Sequence, residues 1–272
     1  MATTPTPPPP EQQNTRGPSP DTLPVETLPV GVIVPYDMAL DRELRRFTQD
    51  AGGREQLDLL FNRTRHEPLS VTAEQARAIS RPKSIAECVR AVSATSPAAY
   101  VYGCTSGSFI RGIAGEQRLL EAMSRAGAAP AFTTSGALLQ AIRALGVSTI
   151  ATATPYDDAI TAQFAAFFAE AGVHLMSNSN LGLDGQIWTV PYERTYDLVR
   201  EADSDRADAV VVSCTNLPTY DILTRLEDDL GKPVISANQA TIWSVLAHFG
   251  RPYTGPGRAL TAVEPALANT HY

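Results

Sequence analysis

Two cysteines of this chain sit in matched surroundings. Ala99–Ser106 reads A-Y-V-Y-G-C-T-S and Ala209–Asn216 reads A-V-V-V-S-C-T-N. Each is an apolar run, a small residue, then Cys-Thr and a small polar residue. A free thiol titrates near about 8.5, and its thiolate is both nucleophile and base. If Cys104 and Cys214 face each other across one small molecule, one sulfur takes a proton or adds to a double bond while the other, as thiol, donates a proton. Proton removal from one face and return to the other is racemisation. Thiolate addition, rotation and elimination is geometric isomerisation. Neither reaction calls for a metal or a nucleotide, so no cofactor is expected.

The residues around the sulfurs suit an anion. Thr105 and Ser106, followed by Gly107 and Ser108, supply hydroxyls on a backbone that a ligand can approach closely; Thr215 and Asn216 are the matching set. Both cysteines are expected just before a helix N-terminus, where unpaired N–H groups and the helix dipole favour negative charge. Donors aimed at a carboxylate also stabilise the enediolate formed when its α-proton leaves. The expected ligand is a small carboxylate.

A second pair of motifs precedes the first. Val32–Asp37 reads V-I-V-P-Y-D and Ala151–Asp157 reads A-T-A-T-P-Y-D, and in both halves Pro-Tyr-Asp comes before Cys-Thr at a comparable interval. This order indicates internal duplication. Tyr36 and Tyr156 read as wall or site residues, with function favoured for Tyr156 and Tyr36 left open. Asp37 and Asp157 read equally as substrate contacts and as helix N-caps. Cys88 shares a helical face with Ile85, Val89 and Val92 and is assigned to the core. His66, His174, His248 and His271 have no ligand spacing, so no metal site is expected. Neither a Walker motif nor a G-x-G-x-x-G after a strand is present, which disfavours nucleotide binding.

Elements that would position these residues follow from hydrophobic spacing. Val30–Val34, Ala98–Tyr102, Thr149–Thr152, Ala209–Val212 and Pro233–Ser236 read as buried strands. Ser135–Gly146 has Leu138, Leu139, Ile142 and Leu145 on one helical face. Thr161–Gly172 has Phe164, Phe167 and Phe168, and a glycine ends each helix. Buried strands alternating with helices imply an α/β fold with parallel sheets and right-handed crossovers. In such sheets ligands bind beyond the strands' carboxyl ends, where both motif pairs fall. The expected organisation is a disordered Pro-rich tail over 1–27, a first α/β domain over 28–133 completed by 251–272, and a second over 134–250, related by an approximate two-fold axis.

The chain has 272 residues and a net charge of −7, so nothing electrostatic recruits nucleic acid or an anionic membrane. No apolar run reaches the roughly 18 residues of a membrane span. The start has no basic-then-apolar signal pattern, and an odd cysteine count argues against structural disulfides. A cytoplasmic protein is expected. The oligomeric state is left open, a homo-oligomer included.

Taken together, G-C-T-S-G-S-F-I-R-G (Gly103–Gly112), T-S-G-A-L-L-Q-A-I-R-A-L-G-V (Thr134–Val147), T-P-Y (Thr154–Tyr156) and S-C-T-N (Ser213–Asn216) resemble the aspartate/glutamate racemase superfamily. The similarity is closest to its maleate cis-trans isomerase and arylmalonate decarboxylase branch. The start, V-G-V-I-V-P-Y-D-M-A-L-D-R-E-L (Val30–Leu44), resembles ectoine-utilisation-associated members of that branch. The resemblance implies two flavodoxin-like halves with the substrate between them, Cys104 and Cys214 as the reacting pair, and Thr105, Ser106, Tyr156 and Thr215 as carboxylate holders. Decarboxylase members carry glycine at the first cysteine position, so the presence of both sulfurs favours isomerase or racemase. Maleate isomerases have Pro-Ser-Ser-Asn after the first strand, where this chain has Pro35-Tyr36-Asp37. Asp37 would repel a dicarboxylate unless protonated, and it could instead pair a substrate amino group.

The expected function is a cofactor-independent isomerase or racemase of a small mono- or dicarboxylate. The enzymatic rival is an arylmalonate-type decarboxylase using Cys214 as proton donor, with Cys104 a bystander. A rival of another class is a non-catalytic carboxylate-binding protein.

Overall fold

The computed structural model describes residues 27–265. Its first half is built on a parallel sheet of β1 (Leu28–Val34), β2 (Leu57–Arg63), β3 (Ala99–Tyr102) and β4 (Ala131–Thr133), in spatial order β2-β1-β3-β4. The second half repeats it with β5 (Thr149–Thr154), β6 (His174–Asn180), β7 (Ala209–Val212) and β8 (Val234–Ser236), in order β6-β5-β7-β8. Adding four to each strand number turns one order into the other. The duplication read from the motifs is thus a duplication of topology, and the order is that of flavodoxin-like sheets.

The strands legible in the sequence are mostly the inner ones. β1, β3, β5 and β7 are buried almost throughout, so they read as runs without a charged residue, apolar except for the threonines of T-I-A-T-A-T in β5. β2 and β6 were not expected. They are edge strands of mixed exposure, and the polar half of H-L-M-S-N-S-N does not mark a buried strand. β4, only three residues long, also escapes the pattern.

Helices cover the sheets. Pro82–Ser93 and Gly112–Gly127 pack together on the first, and Asp158–Glu170 and Tyr192–Ala202 pack on the second. Phe164, Phe167 and Phe168 are fully buried as the periodicity required. Gly146 (φ +66°) and Gly172 (φ +78°) follow the two expected helices in the left-handed conformation that ends a helix.

Both fourth strands run directly into a capped helix. Thr133 caps Thr134–Ala144 by accepting from the Gly136 N–H, and Ser236 forms a capping box with Gln239 on Ala237–His248. These two helices pack against each other between the halves, joined by a hydrogen bond from the Thr241 hydroxyl to that of Thr134 (3.1 Å). Every residue from Ala237 to Ala247 is buried, because this helix contacts both halves.

The segment after Gly250 bonds to both halves. Arg251 donates to the Gln56 carbonyl and Thr254 to that of Gln49, while Gly257 and Arg258 bond to Thr224 and Glu227. Residues 1–26 and 266–272 lie outside the described residues, and with them nearly all of the expected Pro-rich tail and the end of the C-terminal segment. Among the described residues, no helix is long and apolar enough to cross a membrane.

Candidate active site

The carboxyl ends of the inner strands of both sheets meet. The Thr215 hydroxyl donates to the Gly103 carbonyl at 3.2 Å, and the Asn216 side chain donates to the Asp37 carbonyl (3.0 Å) while accepting from the Ala39 N–H (2.8 Å). Between these loops lies a pocket. Its wall includes Asp37, Cys104, Thr105, Ser106, Tyr156, Cys214, Thr215 and Asn216, together with Pro35, Met38, Val71, Gln75, Ile79 and Ile187. The eight residues singled out in the sequence thus converge on one cavity, although they come from four separate loops.

The two sulfurs are held differently. Cys104 is buried and is the N-cap residue of the helix Thr105–Phe109, and its Sγ accepts from the Gly107 N–H at 3.3 Å. The amides of Thr105 and Ser106 open that helix and have no acceptor within it. Cys214 was also expected to precede a helix, and here the structure differs. Residues 215–217 form a turn, and the next helix begins only at Leu223. Pro218 lacks the N–H a helix needs, and Cys214 itself has φ +87°, a conformation rare for a side chain with a Cβ. Its Sγ accepts from the Asn216 N–H at 3.4 Å.

Burial dominates the titration of both thiols. It pushes Cys104 up to about 11, against the opposing effects of the Gly107 N–H and the Ser106 and Tyr102 hydroxyls. It pushes Cys214 up to about 12, against the Asn216 N–H and the Tyr156 hydroxyl. The helix start that the sequence suggested is present at Cys104 and missing at Cys214, and at both sulfurs loss of solvent outweighs the N–H and hydroxyl donors. Burial thus favours the thiol form of both sulfurs.

Each sulfur has a tyrosine. Tyr156 is fully buried, its hydroxyl accepting from Ser213 Oγ at 3.3 Å beside Cys214. Cys104 has Tyr102, whose hydroxyl also donates to the Ile79 carbonyl at 3.0 Å. Tyr102 went unnoticed in the sequence, although it lies two residues before Cys104 at the end of a buried strand. Tyr36, the counterpart of Tyr156 in the repeat, points away: its hydroxyl donates to the Leu69 carbonyl and its ring packs edge-on to His66.

The aspartates of the repeat also diverge. Asp157 caps its helix, accepting from the Ile160 N–H at 2.8 Å. Asp37 caps nothing, because the next helix starts at Asp41. Instead its Oδ2 accepts from Gln75 Nε2 at 3.3 Å, and burial raises its pKa. Gln75 comes from the helix Ala73–Ile79 and has no sequence mark of a site residue.

The remaining polar wall is unevenly satisfied. Thr105 Oγ1 is buried and has no hydrogen-bond partner, so it is free to serve a ligand. Both ends of the Asn216 side chain are occupied by the first half's backbone, which leaves it tying loops together. Val71 and Ile187 cover the pocket from two loops joined by the Val71 N–H and the Asp184 carbonyl at 2.7 Å. Cys88, expected in the core, is only half-buried and donates to the Arg63 carbonyl at 3.6 Å, since it lies at the margin of the face formed by Ile85, Val89 and Val92.

Residues 77–260 match the family model described as arylmalonate decarboxylase. The maleate isomerase of Geobacillus stearothermophilus is 32% identical over 123 residues, covering 44% of this chain and 49% of that protein. The arylmalonate decarboxylase of Bordetella bronchiseptica is 38% identical over 151 residues, 54% of this chain and 62% of that protein. The chain thus spans about half to three-fifths of the length of these two relatives. The maleate cis-trans isomerase of Nocardia farcinica, in a cysteine-to-serine variant with a covalently bound succinylcysteine intermediate, has the same fold. Its TM-score is 0.80 at 22% identity, over 87% of this chain and 99% of that one.

Proposed function

Because the chain belongs to the arylmalonate decarboxylase family, we propose that it is a cofactor-independent, two-cysteine isomerase or racemase of a small carboxylate. The observation that carries this reading is that Cys104 and Cys214, from equivalent positions in the two halves, line one pocket whose other polar groups are mostly neutral donors. The carboxylate sits against the Thr105 hydroxyl, which lacks a partner, and the opening amides of the Thr105–Phe109 helix, with Ser106 and Tyr156 completing the contact, while the Thr215 hydroxyl is given to the Gly103 carbonyl and joins the two halves.

Of the two thiols Cys104 is the more easily ionised, at about 11 against about 12, and it stands at a helix start whereas Cys214 is followed by a turn, so Cys104 is the one that acts as the thiolate. In racemisation its sulfur takes the α-proton, the C–H electrons pass into the enediolate, and the Cys214 thiol protonates the other face. In cis-trans isomerisation the thiolate adds to one alkene carbon, the charge spreads onto the carboxylate, the bond rotates, and elimination returns the thiolate. Neither route changes the oxidation state of substrate or protein. The succinylcysteine adduct of the Nocardia enzyme supports the second route as one this fold can host. Free thiols in all three cysteines fit a reducing, cytoplasmic setting.

A second reading is favoured by the 38% identity to a decarboxylase: Cys214 protonates the enediolate left by loss of carbon dioxide, and Cys104 is idle. Turnover of Cys104→Ala and Cys214→Ala on a panel of maleate, hydroxy acids, aspartate and arylmalonates separates the readings. Loss of activity in both variants, with no carbon dioxide released, supports the isomerase or racemase. Full turnover by Cys104→Ala with a dead Cys214→Ala establishes decarboxylation.

A further inference from the structure

The charge of the pocket wall is one-sided. None of the residues lining it is lysine, arginine or histidine, and Asp37 is its single carboxyl group. Among the described residues no cation pairs with Asp37. Its one side-chain donor is the Gln75 amide, which is shared with the Tyr36 hydroxyl (3.0 Å). The carboxyl group is tied to the fold through Gln75, itself 3% exposed, and faces the same cavity as both sulfurs. From a different loop, Thr105 Oγ1 presents a buried hydroxyl without a partner.

A wall with unspent donors at one place and a fixed acceptor at another matches a ligand of opposite polarity at its two ends. A dicarboxylate would set its second carboxylate beside Asp37, which repels it when ionised with no cation in the wall to balance the pair, whereas a donor group at that place is accepted by Asp37. A ligand with one carboxylate and one donor group satisfies both places.

We propose that Asp37 is a specificity-determining residue: it selects substrates that carry one carboxylate and, a few atoms away, a hydrogen-bond donor, either ammonium or hydroxyl, and it excludes dicarboxylates. The proposal rests on the carboxylate site described above and narrows the class of molecule that occupies it. Met38, Val71, Ile79 and Ile187 supply apolar wall around the chain between the two polar ends.

The test is binding and needs no turnover, so it stands apart from the cysteine experiments. Three probes of equal carbon count are titrated into the full-length protein by calorimetry: β-alanine, 3-hydroxypropionate and malonate. The expected result is that at least one of the first two binds about tenfold or more tighter than malonate, and that Asp37→Asn reduces this preference about tenfold or more. Preference for β-alanine alone identifies ammonium, and equal preference shows that a hydroxyl suffices. Malonate binding as tightly as both others to the wild-type protein overturns the proposal whether or not the variant folds. An unchanged ratio in folded Asp37→Asn overturns it too. If none of the three binds, the carboxylate site itself is wrong and the proposal falls with it.

Discussion

The carboxylate of Glu43 accepts from both the backbone N–H and the hydroxyl of Thr219, at 2.8 and 3.1 Å, across the boundary between the halves. Glu43 lies on the helix Asp41–Arg46 of the first half, and Thr219 follows the Cys214 loop of the second. The same carboxylate also takes the Tyr220 N–H and the Tyr192 hydroxyl, and Glu43 is only 4% exposed. One buried side chain thereby fixes the segment that carries Cys214.

Glu43→Ala should cost about 3 kcal/mol, because it strands buried donors that nothing else can reach. Urea unfolding measures the loss. Glu43→Gln, which keeps an acceptor, should recover part of it. Loosening of the 214–220 loop should also speed alkylation of Cys214 in folded Glu43→Ala, a change that a remote core defect would not produce.

Cys214 holds φ +87° because its surroundings fix it: the Leu217 N–H donates to its carbonyl, Asn216 is bound to the first half, and Asn238 donates to the Thr215 carbonyl. Replacing the side chain tests that strain directly. Cys214→Gly should be more stable than Cys214→Ala by roughly 1 kcal/mol, since only glycine adopts this conformation freely. Both variants should be inactive. Thermal unfolding of the pair decides the point, and equal stability would show that no strain is stored there.

Thiol reactivity should rank by ease of ionisation and not by exposure, since Cys214 is partly exposed while Cys104 is buried. Burial raises Cys88 as well, but it is half-buried and outside the pocket, so it should react first with iodoacetamide, followed by Cys104 and then Cys214. With Cys104 at about 11 and Cys214 at about 12, each pH unit above neutrality should raise their alkylation about tenfold until those values are approached. The sign for stability is the reverse. The unfolded thiols ionise near about 8.5, so the stability that comes from keeping these groups protonated is complete below that pH and is lost as pH rises through 11 and 12. Mass-resolved labelling and unfolding curves across this range check both statements.

Tyr102→Phe should have two effects. The buried Ile79 carbonyl loses its donor, at a cost of about 1–2 kcal/mol. Cys104 also loses a hydroxyl that lowers its pKa, so at fixed pH its alkylation should slow several-fold while that of Cys88 is unchanged. Gly107→Ala should approach the same outcome by another route, because a Cβ there would lie 2.2 Å from the Tyr102 hydroxyl and displace it.

Local pattern alone determined a good deal of this protein. The inner strands are buried on both faces, so they stand out as apolar runs, and the repeated Pro-Tyr-Asp and Cys-Thr motifs mark strand ends whatever the rest of the chain does. Edge strands β2 and β6 carry no such mark, because half of their surface is open and tolerates polar residues. The repeat also predicted equivalence where the fold broke it. Tyr156 and Tyr36 share a motif, yet only Tyr156 enters the pocket; Asp157 caps a helix, yet Asp37 is held by Gln75. Those outcomes depend on which helix or loop of its own half each strand end meets, as Asp37 meets Gln75 and Tyr36 meets Leu69, and contacts between residues distant in the chain leave no local pattern. The titration of the sulfurs was decided the same way. Sequence marked the helix start at Cys104 and wrongly implied one at Cys214, and the burial that raises both thiols comes only from the packing of the two halves.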